Sequence, residues 1–267
     1  LKEAKGRAGR ATTLQLNLIR ALDRDRKPIE AKFAKDMESF FMRMGHLFGD
    51  AAEQVLKSGN GHAKEGIEDL PEGPDVDEIM RRVDIRKLKR DFQVIGKGNY
   101  LLVATRTFKT VSTVLGIDIG LPDHVSERIL AAGGRHLGLV DLAKQARDRI
   151  FRELVEGRAN GDGPLVIARH IREMVPAGPW STPKIRAEVI SRTEVLSSQR
   201  MSTLEAYKES GIVREVMIFD ARLGPTDSEC EERDQTIVSF EEAEQMVDDE
   251  HPNGSLSVAP WLGKSLI

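Results

Sequence analysis

The segment "STPKIRAEVISRTEVLSSQRMSTLEAYKESG" (181–211) constrains the fold more than any other part of the chain. Thr182 has a hydroxyl of the kind that caps helix N-termini, and Pro183 follows at the first helical position, where the missing N–H costs nothing. Gly211 is typical of the residue just after a helix. The segment therefore predicts one helix of about 28 residues, with an apolar face formed by Ile185, Val189, Leu196, Met201, Leu204 and Tyr207.

The pattern changes after this helix. Three short runs rich in β-branched residues are separated by turn-forming residues, which is typical of strands. An acidic segment at 241–249 lies between the second and third runs and predicts a short helix. The C-terminal region therefore predicts a long helix that leads into a short three-stranded sheet, with strands near 212–219, 236–240 and 255–260.

The rest of the chain predicts mainly helices. Residues 12–57 repeat apolar residues at helical spacing on both sides of Pro28. The segment 94–116 is ambiguous, because its β-branched residues favour a strand and its length favours a helix. We prefer the helix, with a break at 116–120. Further helices are predicted at 76–92, 121–134, 139–157 and 165–175.

The elements group into four regions along the chain. A glycine-rich segment with two prolines separates two helical regions and predicts a loop or linker. We expect a fold that is mainly α with a small C-terminal α+β module. The predicted regions are an N-terminal helical region at 1–57, a linker at 58–75, a helical middle region at 76–180 and the module at 181–267.

Composition excludes several classes of protein. The 267 residues are 40% hydrophobic, which is enough for a packed core. No run approaches the 18 apolar residues of a membrane span, and the first 13 residues lack the apolar segment of a signal peptide. The single cysteine excludes an internal disulfide and suits a reducing cytoplasm.

Charge is distributed unevenly along the chain. Residues 81–110 hold 9 Lys or Arg against 2 Asp or Glu, and residues 201–267 hold 5 against 15. The basic segment could contact phosphates or an acidic protein, or it could be a solvated helix face. No aromatic residue that could stack on bases lies among the cations at 81–90, so any binding to nucleic acid would not depend on sequence. The candidate cations are Arg81, Arg82, Arg86, Lys87, Lys89 and Arg90.

The stretch "DARLGPTDSEC" (220–230) could carry chemistry in three ways. As a metal site it offers a weak set of ligands, because no pair of Cys or His residues has the usual spacing. As a nucleophile, Cys230 would use His251 as its base, although five acids in nine residues disfavour the thiolate. The third reading is structural, with the acidic and basic residues paired. The metal candidates are Asp220, Asp227, Cys230 and His251.

The structural reading gives specific pairs. Asp220 falls where the first strand ends and can accept hydrogen bonds from the turn that follows. Arg222 can pair with a carboxylate of the module or of the long helix. Arg192 and Glu194 lie among apolar residues in mid-helix, which makes them candidates for a buried pair.

Taken in order, these residues resemble the head morphogenesis domain of phage Mu F-like minor capsid proteins. In that family an ARTE-type helix precedes a D-x-R turn, a cysteine and a His-Pro-Asn segment. The resemblance covers about residues 140–261. The matching positions are Ala187, Ile190, Arg192, Thr193, Glu194, Gly211, Asp220, Arg222, Cys230, His251, Pro252 and Asn253.

The chain departs from the family at its cysteines. Many relatives have a cysteine pair after D-x-R and further cysteines after His-Pro-Asn, which looks like a zinc site. Here Gly224 and the lone Cys230 stand in the first segment, and Gly254 stands where a cysteine would follow. The zinc site therefore does not carry over to this chain, and we expect no cofactor.

The resemblance implies a structural protein of a tailed phage and not an enzyme. Such a minor head protein would bind the portal vertex inside the head, assist head assembly, genome packaging or ejection, and occur in the host cytoplasm during assembly. Its implied partners are the portal protein, the major capsid or scaffolding protein and packaged double-stranded DNA, with no membrane. Two alternatives stay open, namely a cytoplasmic helical nucleic-acid-binding protein and a metal-assisted hydrolase that uses Asp220, Cys230 and His251.

Overall fold

Helices dominate the part of the chain that the structure describes. A computed structural model describes residues 7–8, 12–58, 74–132, 141–220, 228–252 and 254–263. The expected fold class is confirmed, since a mainly helical chain ends in a small antiparallel sheet. The helices are α1 (Thr13–Lys57), α2 (Pro74–Arg82), α3 (Ile85–Leu115), α4 (Asp123–Ala132), α5 (Leu142–Ala159), α6 (Pro164–Met174), α7 (Pro183–Ser210), α8 (Ser228–Arg233) and α9 (Phe240–Asp249).

The chain forms two compact units, and neither is continuous in sequence. The first unit combines Leu1–Ala31, Lys97–Arg135 and Arg192–Ile267, and it contains the sheet. The second combines Lys32–Gly96 and His136–Ser191. The four regions proposed from the sequence describe the order of elements along the chain, and as folding units they stay a prediction. Most of the proposed linker lies outside the described residues.

The long helix is confirmed, including its cap. The Thr182 hydroxyl accepts a hydrogen bond from the Ile185 backbone N–H at 3.1 Å, and Gly211 follows the helix with a φ of 67°. A left-handed φ of this kind strains any residue with a Cβ, which explains the glycine. The side chain of Ile185 is 41% exposed, so its assignment to the buried face is wrong; Ala187 and Ile190 are buried instead.

Two helix boundaries differ from the sequence prediction. The chain breaks after Arg82, and α3 then continues from Ile85 through the ambiguous segment to Leu115. Asp84 starts α3, because its side chain accepts a hydrogen bond from the Lys87 backbone N–H at 2.9 Å. The preference for a helix in this segment is confirmed, and so is the break that follows it. Apolar residues at helical spacing outweigh the β-branched residues here.

Close helix packing in the second unit depends on two glycines. A Cβ at Gly45 of α1 would lie 2.4 Å from the carbonyl oxygen of Arg172 in α6, and one at Gly49 would lie 2.6 Å from the Arg172 Cβ. Any side chain at either glycine would push α6 away from α1. The neighbouring part of α1 contributes an aromatic cluster in which the Phe40 and Phe41 ring centroids are 5.5 Å apart.

The sheet has four antiparallel strands. Strands β2 (Glu215–Phe219), β3 (Thr236–Val238) and β4 (Ser257–Trp261) confirm the predicted runs, and the two-residue β1 (Arg7–Ala8) adds an edge strand that the sequence did not predict. The order is β1-β3-β2-β4. Met217, Ile237 and Ala259 point to one face of the sheet, where Leu16 and Ile19 of α1 pack against them.

Side chains from two helices close the free edge of β4. Pro260 has no N–H and faces Val216, so this pair cannot be a hydrogen-bonded one and the Pro260 carbonyl points away from β2. Val258 lies two residues earlier and has the same orientation. The side-chain amide of Gln15 donates to the Pro260 oxygen at 2.9 Å. The Tyr207 hydroxyl donates to the Val258 oxygen at 3.1 Å, which leaves little edge for another strand.

Removing the Tyr207 hydroxyl tests this edge. Burial raises the pKa of Tyr207 well above its ordinary value, so the hydroxyl keeps its proton and remains a donor. We expect Tyr207→Phe to lower the free energy of unfolding by about 1–2 kcal/mol, because a buried carbonyl loses its partner. Urea denaturation measures the change. Thr105→Ala removes an exposed hydroxyl bond in α3 and should stay within about 0.5 kcal/mol of the wild type; equal effects of the two changes would contradict this account.

Candidate functional site

The motif residues on α7 are directed into the protein. Glu194 and Thr193 are buried, and Arg192 is half-buried. The Tyr100 hydroxyl of α3 donates to the Glu194 carboxylate at 2.5 Å. A charge-assisted bond of this kind is stronger than a neutral one. It fixes α3 against α7 within the first compact unit.

Asp220, at the end of β2, is the centre of the site. Its side chain is fully buried, and its Oδ2 lies 2.5 Å from the Arg233 Nη2. The Ser255 hydroxyl donates to the Asp220 main-chain oxygen and lies 3.2 Å from the Asp220 Oδ1. The Asp220 N–H donates to the Asp234 carboxylate at 3.1 Å. Main-chain and side-chain bonds together hold the end of the strand.

A second carboxylate and a thiol share the same guanidinium. Arg233 Nη2, from α8, lies 3.2 Å from the Glu250 Oε2 and 3.8 Å from the Cys230 Sγ. Burial opposes the charged form of Arg233, but the Asp220 and Glu250 carboxylates outweigh it and raise the pKa of Arg233 above its ordinary value. The cation is therefore held in its charged form.

A second arginine joins the site from α7. Arg200 Nε donates to the Leu256 carbonyl oxygen at 2.7 Å, and its Nη2 donates to the Gly254 carbonyl oxygen at 2.6 Å. The same Nη2 lies 4.0 Å from the Glu250 Oε1. Burial lowers the pKa of Arg200 to about 10, so it still carries its charge at neutral pH. We call Arg200, Asp220, Arg233 and Glu250 the ion cluster.

Gly254 is needed because Glu250 lies against it. A Cβ at Gly254 would lie 1.6 Å from the Glu250 Oε1, so a side chain there must displace the buried carboxylate. The family resembled by the sequence has a cysteine near this position. In this chain the ion cluster leaves no room for one while Glu250 stays in place.

The structure separates the predicted motif residues into two groups. Asp220 and Cys230 are buried, and both lie within 4 Å of the Arg233 Nη2. His251 and Pro252 are exposed, and the His251 Nδ1 lies 3.0 Å from the Pro252 carbonyl oxygen. Arg222, Asp227 and Asn253 lie outside the described residues, so the predicted pairing of Arg222 stays a prediction.

Asp220, a carboxylate of the predicted metal site, is paired with a guanidinium. Over the residues that the structure describes, no three His, Cys, Asp or Glu side chains are arranged to hold a metal ion. Between Asp220, Glu250 and Cys230 the positive charge is supplied by Arg233, with Nη2 within 4 Å of all three. Two carboxylates and a sulfur would suit a cation, and here that cation is an arginine.

Three members of the ion cluster were not predicted from the sequence. Arg200 falls between Leu196 and Leu204 on the buried face of α7, so its place in an apolar stripe was a usable signal. Glu250 directly precedes His251 and follows Asp248 and Asp249, and a run of acids at a helix end gives no sign of burial. Arg233 lies on α8, a helix that the acidic sequence of 228–233 did not predict.

The six basic candidates form a separate surface, which we call the basic surface. All six are exposed. Arg81 and Arg82 pair with Glu78, at 2.8 Å and 2.9 Å. Within the described residues, the four on α3 have no ion-pair partner. These four are Arg86, Lys87, Lys89 and Arg90.

A cavity in the first unit lies between α4, α7 and α9. Its volume is about 270 Å³, and Met201, Leu204 and Val247 form its apolar part. Arg128 of α4 forms an ion pair with Glu205 of α7 at its rim. None of the motif residues lines it.

Within the described residues, no helix combines the length and apolar character that a membrane span requires.

Comparison with known proteins finds no matching family, no matching characterised protein and no matching solved structure. The resemblance to head morphogenesis proteins stays a prediction that depends on the motif residues.

The contact between Gly254 and Glu250 gives a direct test of the ion cluster. We expect Gly254→Ala to lower the free energy of unfolding by about 1–3 kcal/mol, because the Cβ displaces a buried, paired carboxylate. In a Glu250→Ala background the same change should lower the free energy of unfolding by less than about 0.5 kcal/mol, because the carboxylate that the Cβ would meet has been removed. Urea denaturation of the four proteins measures the coupling.

Gly98→Ala is the matched control. Gly98 lies inside α3, and a Cβ there would meet nothing within 4 Å. This change should stabilise the protein by up to about 1 kcal/mol, because alanine favours a helix over glycine. If Gly254→Ala costs the same with and without Glu250, the ion cluster does not require the glycine.

Proposed function

We propose that this chain is a structural minor head protein of a tailed phage, located at the portal vertex inside the head. The observation that carries the proposal is that the buried carboxylates of the motif bind other side chains of the same chain. The Asp220 carboxylate is held by the Arg233 guanidinium, and the Glu194 carboxylate accepts the Tyr100 hydroxyl. The polar part of the motif therefore stabilises a module, which supports a structural role over a catalytic one.

Burial separates this proposal from a catalytic one. A general acid or base must come within hydrogen-bond distance of a substrate. The Asp220 side chain is fully buried, and Cys230 is 2% exposed beside a guanidinium. Neither group faces solvent, which disfavours a hydrolase that uses Asp220, Cys230 and His251.

The exposed end of the motif is the natural contact for a partner. His251 and Pro252 form an exposed turn directly after the buried Glu250. The ion cluster fixes the start of this turn, so it presents a preformed surface at little entropic cost. In the proposed function the portal protein, or the major capsid or scaffolding protein, contacts this turn during head assembly, genome packaging or ejection.

Mass spectrometry of purified virions tests the proposal. We expect peptides of this chain in particles of the phage that encodes it, at a lower molar amount than the major capsid protein. A non-structural phage protein of similar abundance in the lysate serves as the control for contamination. Absence of the chain from virions and from procapsids would contradict the proposal.

A Cys230→Ala variant distinguishes the hydrolase alternative. If the chain is structural, phage that depend on this variant should give a particle yield within about twofold of the wild type, because a small apolar residue replaces a buried thiol. If Cys230 is a nucleophile, its removal should abolish the activity and reduce the yield by orders of magnitude. Circular dichroism shows whether the variant folds.

A further inference from the structure

The basic surface is not explained by the ion cluster or by the motif. Four of its cations lie within five residues of α3, and among the described residues they have no ion-pair partner. Arg86 and Arg90 are one turn apart, as are Arg86 and Lys89, and like charges at these spacings repel. This spacing therefore costs the helix a little stability, and a bound anion would offset that cost.

The direction of these side chains suits a large anion. Successive residues of an α-helix differ by about 100° around its axis, so Arg86, Lys89 and Arg90 lie within about 100° of one another. Leu88 and Phe92 are buried on the other side of the helix. The cations therefore form a convex band that points outward, and a convex band cannot enclose a small ligand.

We propose that the basic surface binds the phosphate backbone of double-stranded DNA without reading its sequence. Regularly spaced phosphates provide several anions at once along an extended surface, which matches a band of four cations. No aromatic residue lies among residues 81–90, so this surface offers no ring on which bases would stack. The binding is argued from this surface alone, and only its role with packaged DNA rests on the proposed function.

The experiment measures fluorescence anisotropy with two unrelated 30-base-pair duplexes between 50 and 200 mM salt. If four phosphates are contacted, the slope of log K against log salt should be about −3.6, which means roughly 150-fold weaker binding at 200 mM than at 50 mM. The two duplexes should bind with equal affinity within about twofold. A tenfold preference for one duplex would overturn sequence-independent binding.

Two variants with equal loss of charge locate the contact. The test variant is Arg86→Gln, Lys87→Gln, Lys89→Gln and Arg90→Gln. The control neutralises four exposed lysines of the same compact unit that each pair with an acid, namely Lys32, Lys57, Lys144 and Lys184. We expect the test variant to lose at least tenfold in affinity and nearly all of the salt slope of about 3.6, and the control to lose less than threefold in affinity.

Each remaining outcome also decides the proposal. Equal losses in both variants would show a general effect of net charge and would overturn it. Binding of poly-glutamate with no binding of DNA at 50 mM salt would assign the surface to an acidic protein instead.

The test variant should have a melting temperature no lower than that of the wild type, because neutral residues remove repulsion between the cations. A lower melting temperature would indicate that the cations have a structural role.

The test is independent of the virion experiment. A chain found in virions that does not bind DNA keeps the proposed function and loses this inference. A chain that binds DNA through the basic surface but is absent from virions keeps this inference and loses the proposed function.

Discussion

The ion pair between Asp220 and Arg233 organises the C-terminal module. Asp220 directly follows β2 and Arg233 ends α8, so a contact of 2.5 Å joins the sheet to the helix that follows it along the chain. A buried carboxylate is costly unless a cation and hydrogen bonds compensate it. Arg233 supplies the charge, while Ser255 and Asp234 hold the main chain at the same residue.

The rest of the module follows from this pair. Glu250 shares the Arg233 guanidinium and lies so close to Gly254 that no side chain fits there. Arg200 then connects the long helix to the carbonyl groups that precede β4. Four separate parts of the chain thus meet around two carboxylates and two guanidinium groups, and they leave the turn at His251 and Pro252 exposed.

Local patterns predicted most of the fold. Three signals indicated α7 correctly, namely the cap at Thr182, the stop at Gly211 and the helical spacing of apolar residues. Each of these signals depends only on residues close together in the sequence. The break between α2 and α3 was missed, since no glycine or proline marks residues 83–84. The two-residue β1 was missed because so short a strand has no pattern of its own.

The site was only partly predictable, because several of its residues act through contacts that form only in the folded chain. Asp220 and Cys230 were identified as important, but their partner Arg233 was not, and its role depends on how β2 and α8 pack. Glu250 gave no signal because its burial results from contacts with Arg233 and Gly254 that only the folded chain brings together. The predicted cations of the basic surface are all exposed, as a charge run of this kind suggests.

The coupling energy between Asp220 and Arg233 tests the central claim most directly. A double-mutant cycle of Asp220→Ala and Arg233→Ala, measured by urea denaturation, isolates the pair from the other contacts of each residue. The account predicts a coupling of at least about 2 kcal/mol, because Arg233→Ala leaves the buried Asp220 carboxylate without its cation, and Asp220→Ala removes one of the two carboxylates that contact Arg233. Additive changes, with a coupling below about 0.5 kcal/mol, would contradict the view that this pair organises the module.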